Sequence, residues 1–331
     1  MIRMANTRIL QETAVRYFLE VVKAGSITKA AEKLNVASSA VSRQVARLED
    51  ELGTQLFDRR ARGTVPNAAG ELLAAYALRM KLETERIGNE LAALKGMRRG
   101  EVRLACTTGF SSHFLPTLIA RFRQQHPGIH FHMAVGSFSD VAGRILEGEA
   151  DIGVSFTLSA TRGIKVEHAE PAPIFAIMLP THPLAAFAQL TLSELAAYPI
   201  ALAPKKIAMR QLLDMCCSRT NLLIEPVLTS DSLEAMINFV LAEGGIAFSA
   251  KLPVRHLLAD GRIRAIPIRS RDLAPFQLEI QTLAGRILPR AAQAFLDVLI
   301  AAIPPCDELK AGPAAEAGLS PTRRESRRSR A

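Results

Sequence analysis

Ser39, Ser42, Arg43 and Arg47 stand at intervals that gather them on one side of a helix, and Arg59, Arg60 and Arg62 crowd a short stretch downstream. Arginine pairs with guanine edges or phosphate, and a small hydroxyl lets a backbone come close, so both groups suit recognition of duplex DNA. Thr28 and Ser38, near the starts of two neighbouring helical stretches, join them as candidate DNA contacts. Taken singly, Arg43 or Arg47 would be equally at home on a solvated helix face; the tight turn before their helix is what favours DNA.

A second group of small residues lies later in the chain. Thr107, Thr108, Gly109 and Phe110 lead into Ser111 and Ser112; Ser137, the pair Ala203 and Pro204, and the pair Thr229 and Ser230 occupy similar places between strand-like and helix-like segments. Beyond strand ends, free N–H groups at helix N-termini suit a small carboxylate, which makes these residues, Ser111 and Ser112 aside, candidate ligand contacts. Capping a helix is the plainer role for the same hydroxyls.

Chemistry beyond binding finds little support. There is no His-Glu-x-x-His, Gly-x-Ser-x-Gly, Walker or Gly-x-Gly-x-x-Gly pattern, so no metal, cofactor or catalytic group is expected. The four cysteines, at 106, 216, 217 and 306, form no Cys-x-x-Cys, which points to free thiols in a reducing compartment. Arg16 and Glu20 interrupt the first apolar stretch, so no signal segment is expected. The longest uncharged run, Pro171 to Ser193, is too broken by proline to span a membrane, and a cytoplasmic protein is expected.

The elements that must position these residues read in order. Val15, Phe18, Leu19 and Val22 form the stripe of an amphipathic helix ending near Gly25, and Ser26 caps a second helix carrying Ala30, Ala31 and Leu34. Asn35 suits a left-handed turn, and Val41, Val45, Leu48 and Leu52 form the inner face of a third helix from Ser38. Leu56 to Val65 reads as two short strands joined by a basic turn. From Ala68 to about Lys95 a helix of roughly 40 Å is expected, with Leu73, Met80, Ile87 and Leu94 recurring every seven residues and Glu83 and Glu90 interrupting the second stripe position, which suits a dimerising linker or a helix packed on its own chain. Gly96 to Gly100 forms a basic hinge.

Past Gly100 strand and helix alternate, beginning with Val102 to Cys106, Phe114 to Gln125 and Ile129 to Val135, and the pattern starts again after Pro171. Two α/β halves, each with a parallel doubly wound sheet, and a cleft between them are expected. The tail from Pro304, rich in Ala, Pro, Ser and Arg, reads as disordered.

Charge follows this division. The chain of 331 residues has 41 Lys and Arg against 32 Asp and Glu, a net +9. Residues 1–63 hold eleven basic and seven acidic side chains and residues 64–100 six and four, whereas residues 101–303 hold eighteen and seventeen. The polyanion-seeking excess therefore lies mainly in the first hundred residues, and a 49% hydrophobic composition supplies cores for several domains.

Several segments carry a family resemblance. Ala30-Ala31-Glu32-Lys33-Leu34-Asn35-Val36, Ala40-Val41-Ser42-Arg43-Gln44-Val45, Glu51-Leu52-Gly53 and Leu56-Phe57-Asp58-Arg59 resemble the winged helix-turn-helix of LysR-type transcriptional regulators. Phe114-Leu115-Pro116, His126-Pro127-Gly128, Asp151-Ile152-Gly153, Leu179-Pro180-Thr181-His182-Pro183 and Gly245-Ile246-Ala247 resemble the effector domain of that family, similar to a periplasmic solute-binding protein. Ala37 and Ser38 depart from the family's cap and base-reading Gln, which moves the cap to Ser38 and removes the Gln contact.

The resemblance implies a multidomain chain: an α-rich winged helix-turn-helix at 1–67, a linker helix at 68–96, and a two-lobed α/β domain at 97–303. Lobe I would take about 101–170 and 274–303 and lobe II about 171–273, with a basic tail at 304–331. It implies a regulator controlled by a small effector, with promoter DNA, a second copy of the chain in a homodimer or homotetramer, and RNA polymerase (for an activator) as partners, and no membrane. A free two-lobed solute-binding protein or enzyme, or a cysteine-based redox regulator, is the alternative.

Overall fold

The computed structural model describes residues 13–59, 64–94, 100–157, 160–270, 273 and 276–304. They fall into two compact units: the chain up to Arg99 with Glu147–Glu149 and Gly285–Arg290, and the remainder from Gly100.

In the first unit, α1 (Thr13–Ala24), α2 (Ile27–Leu34) and α3 (Ser38–Leu52) pack around Phe18, Val21, Ala30, Val41, Val45 and Leu48, all buried. Burying a side chain the size of Leu48 contributes about 1.5–3 kcal/mol, and the small Ala30 and Ala31 let α3 approach α2. Asn35 closes α2 in the left-handed conformation at φ 54°. The cap of α3 is Ala37, with no side-chain hydrogen bond, and Ser38 is already helical, so the expected shift of the cap to Ser38 is not realised.

Two short strands follow, β1 (Phe57–Arg59) and β2 (Thr64–Pro66), paired antiparallel with Phe57 opposite Pro66. The Phe57 ring lies 5.2 Å from that of Phe18, and Thr64 N–H donates to the Gly25 carbonyl at 3.0 Å, fastening the pair to α1. Asn67 caps α4 (Ala68–Leu94), its Oδ1 accepting from Gly70 N–H at 3.0 Å. Gly70 is required there, because a Cβ would strike the Leu56 carbonyl.

The heptad stripe of α4 divides. Leu73 is buried, whereas Met80 and Ile87 are exposed, as are Leu72 and Leu91. An outward apolar face thus runs along the helix through Leu72, Met80, Ile87 and Leu91.

The second unit begins with β3 (Gly100–Thr107), α5 (Thr108–Ser111), α6 (Phe114–Gln125), β4 (Ile129–Gly136), α7 (Phe138–Leu146), β5 (Ile152–Thr157) and β6 (Ile164–Ala172). It continues with β7 (Phe175–Met178), a 3-10 turn (Pro183–Ala186), α8 (Leu192–Leu195), β8 (Ala201–Leu202), α9 (Ala208–Arg219) and β9 (Leu228–Thr229). The last elements are α10 (Leu233–Leu241), β10 (Ala247–Ser249), α11 (Lys251–Ala259), β11 (Arg264–Pro267), β12 (Phe276–Leu283) and α12 (Arg290–Ala302).

Lobe I holds a sheet in the order β4-β3-β5-β12-β6, with β3 parallel to β4 and β5 and β12 antiparallel to β5 and β6. In lobe II, β7 lies antiparallel between β10 and β11, β8 is parallel to β9, and an Ile200–Ile246 bridge joins them. Both sheets are mixed, which corrects the expected parallel ones. The reason is topological: β6 runs on almost directly into β7, and β12 returns after β11, so each lobe receives one strand by a crossover, and no helix turns it parallel.

Lobe I packs Phe122, Phe131 and Phe295 edge to face on one side of its sheet and Val141 and Ile145 of α7 on the other. Lobe II centres on Phe175, Ile177, Met236, Val240 and Val254.

Candidate functional site

Two surfaces have the chemistry of sites. On α3 the inner face is buried through Val41, Val45 and Leu48, which turns Ser39, Ser42 and Arg43 outward, all exposed. Ser38, at the start of the same helix, and Thr28 on α2 are exposed as well. Arg47 is also exposed, but its Nε donates to Glu51 one turn on at 2.8 Å. It therefore meets a phosphate only by exchanging or sharing that carboxylate. Arg59 ends β1; Arg60 and Arg62 lie outside the described residues.

The second surface is a cavity of about 590 Å³ between the lobes of the second unit. Thr107, Thr108, Gly109, Ser137 and Ala203 line it. They meet because β3 and β4 end side by side, Thr107 opposite Gly136, and because β8 ends opposite them in the other lobe. The Thr107 hydroxyl is buried without a hydrogen-bond partner among the described residues, a state that costs about 1–3 kcal/mol unless a ligand or water meets it. Gly109 is packed by Pro253 and Leu233 of lobe II, and a Cβ there would come within 3.2 Å of Pro253 Cγ.

Four expected contacts are absent from the lining. Phe110 is fully buried, its ring 4.7 Å from that of Phe156, because the first turn of α5 directs it into lobe I. Pro204 lies one position past the wall. Thr229 is exposed at the end of β9, and the Ser230 hydroxyl accepts from Ser232 N–H at 3.1 Å as part of the turn that starts α10.

The cavity also recruits residues that sequence reasoning missed. Asp140 and Lys206 stand on its opposite walls, and Phe156, Met209, Met236 and Phe276 supply apolar surface. Asp140 had a readable signal: it lies three residues after Ser137, the spacing of a capping box. Its Oδ2 accepts from Ser137 N–H at 2.8 Å and Ser137 Oγ–H at 2.7 Å. These bonds, side chain first, hold the carboxyl below the usual carboxylate range, helped by the charges of Arg144 and Lys206. The aromatic and methionine lining comes from scattered positions and had no local signal.

Three of the four cysteines lie among the described residues. Cys106, Cys216 and Cys217 are free and buried, burial pushes Cys106 up to about 12, and burial together with Asp214 raises Cys217. A protonated buried thiol is a poor nucleophile. Among the described residues no group of three or more His, Cys, Asp or Glu is placed to hold a metal ion, and no helix is long and apolar enough to cross a membrane.

Comparison with known proteins agrees with this division of labour. Residues 13–71 match the bacterial regulatory helix-turn-helix protein family of LysR type, and residues 95–304 match the LysR substrate binding domain. A probable HTH-type transcriptional regulator of Synechococcus elongatus, LrrA, is 31% identical over 301 residues, covering 87% of this chain and 95% of the relative. An uncharacterized HTH-type regulator of Bacillus subtilis, YybE, is 26% identical over 286 residues, 86% of this chain and 97% of its own. A full-length OxyR variant from Pseudomonas aeruginosa shares the fold with a TM-score of 0.61 at 21% identity, over 87% of this chain and 93% of that one. The chain belongs to the LysR family of transcriptional regulators, with a DNA-binding helix-turn-helix followed by an effector-binding domain.

Proposed function

We propose that α3 enters the major groove of promoter DNA with Ser38, Ser39, Ser42 and Arg43 at base edges and backbone, Arg47 and Thr28 at phosphates, and Arg59, Arg60 and Arg62 on flanking DNA. The exposed polar face of α3, backed by buried Val41, Val45 and Leu48, carries this reading. The effector is a small organic carboxylate held in the interlobe cavity by Thr107, Thr108, Gly109, Ser137 and Ala203, with Lys206 the cation of the lining.

The protein acts in the cytoplasm as a homodimer or homotetramer, for which the apolar face of α4 is the natural contact, and as an activator it would meet RNA polymerase there. Effector binding changes the relative placement of the DNA-binding heads and so the affinity for the operator. The test is a gel shift at fixed salt with the full chain, with and without the effector. Thr108→Ala should keep operator affinity and lose the effector response; a full response in that variant would remove Thr108 from the site.

A further inference from the structure

The cavity has an electrostatic polarity that narrows the chemistry of its ligand, an inference that rests on the effector reading above. An open helix N-terminus attracts an anion. That of α7 already has a carboxylate of its own chain beside it. The Asp140 carboxylate takes both the N–H and the Oγ–H of Ser137, and Ser137 Oγ accepts from Asp140 N–H at 3.3 Å. Gly136 closes over this carboxylate, since a Cβ there would lie 2.8 Å from Asp140 Cβ and 3.0 Å from its Oδ2. The Ser137 N–H, the Ser137 hydroxyl and the Asp140 N–H are thus already engaged at this turn, and the carboxylate that engages them is an anion.

Asp140 itself is exposed and lines the cavity, and the contacts of its carboxylate to Ser137 both run through Oδ2. It is ionised at neutral pH, being held below the usual carboxylate range by the Ser137 bonds. The remaining oxygen, Oδ1, is an anionic acceptor without a partner among the described residues.

The opposite wall differs. Lys206 is exposed just before α9, whose first residues, Ala208 and Met209, line the cavity and whose cap, Ile207, makes no side-chain hydrogen bond. Asp231 is the remaining charged residue of the lining. The walls thus carry one cation and two anions. Phe138, Phe156, Phe248 and Phe276 lie in the same lining and offer surface for a flat apolar body.

We infer that the effector is a monocarboxylate with a ring-sized apolar body and a hydrogen-bond-donor end, an ammonium being the strongest case, with its carboxylate at Lys206 and its donor at Asp140. Asp140 is then the specificity residue that rejects a second carboxylate, by charge repulsion beside the α7 N-terminus.

Titration calorimetry of the full chain at neutral pH with two probes of one shape, 4-(aminomethyl)benzoate and terephthalate, tests this. The aminomethyl probe should bind the wild type about tenfold more tightly or better, and Asp140→Asn, which keeps an acceptor for Ser137, should erase that preference. Asp140→Ser supplies a second neutral variant should the first melt early, and Asp140→Glu should keep the preference. Equal or tighter binding of terephthalate by the wild type, an unchanged preference in the neutral variants, or no binding of either probe at millimolar concentration overturns the proposal. Lys206→Gln separates the levels. Weakened binding there with no effect at Asp140 removes only the Asp140 assignment, whereas binding indifferent to both positions places the ligand outside the cavity and removes the effector reading with it.

Discussion

The imidazole rings of His113 and His256 stack at 3.8 Å between centroids and 9° from parallel. His113 follows α5 in lobe I and His256 belongs to α11 in lobe II, so the stack bridges the lobes, as does the 3.3 Å bond from Ser112 Oγ–H to Glu234. Burial lowers the pKa of His256, the charges of His113 and Arg262 lower it further, and Asp260 opposes them.

This stack makes stability depend on pH. A histidine whose pKa is lower in the fold than in the unfolded chain lends its full stability above its ordinary value of 6.5, and loses it as pH falls through the lowered value. His256→Phe keeps a ring to stack and removes the titration, so the melting temperature should fall less between neutral pH and pH 5 than in the wild type. His182, lowered by burial, leaves some dependence in the variant. An identical acid-side slope in wild type and variant would show that the stack does not titrate.

Arg43 and Arg47 should separate in a gel shift. Arg43 is exposed and, among the described residues, unpaired, whereas Arg47 is held by Glu51. Arg43→Ala should weaken operator binding by about 1–3 kcal/mol with the fold unchanged, and Arg47→Ala by less. Unchanged affinity in Arg43→Ala refutes the docking proposed for α3.

Gly70→Ala places a methyl against the Leu56 carbonyl and Pro66 Cβ. The start of α4 must then move off the strand pair, at a cost of about 1–3 kcal/mol. A lower first transition in calorimetry, with DNA affinity lost alongside it, is the expected outcome. A melt like that of the wild type would show that this junction yields easily.

The outward face of α4 should govern assembly. Ile87 and Leu91 are 41% and 55% exposed, on the face they share with exposed Leu72 and Met80, whereas Leu73, Ala77, Leu78 and Leu82 are buried. Sedimentation velocity of Ile87→Glu combined with Leu91→Lys should show a smaller species than the wild type. No change in sedimenting mass would move the contact elsewhere.

Peroxide should leave operator affinity unchanged in a Cys306→Ala background, because the other three thiols are buried and burial raises Cys106 and Cys217. Loss of DNA binding on peroxide treatment of that variant would revive the redox reading.

Features set by short-range physics are legible in the chain before it folds. The period of Val41, Val45 and Leu48 decides which face of α3 is buried, and therefore that Ser39, Ser42 and Arg43 look outward. Asn35 announces its left-handed turn, and the hydroxyl-rich end of β3 announces a wall of the cavity, because both depend on a few adjacent residues. Strand direction and the company of distant side chains come from the fold. Nothing local says that β7 and β12 enter their sheets antiparallel, since strand direction is set by where the chain crosses between lobes. The inward turn of Phe110 comes from the packing of its ring on Phe156 of a distant strand, whereas the engagement of Arg47 with Glu51, one turn apart on α3, is a local pair that the spacing already allowed. The meeting of Asp140 and a lysine 66 positions later in the lining of one cavity follows from two lobes folding to face each other, which no window of sequence contains.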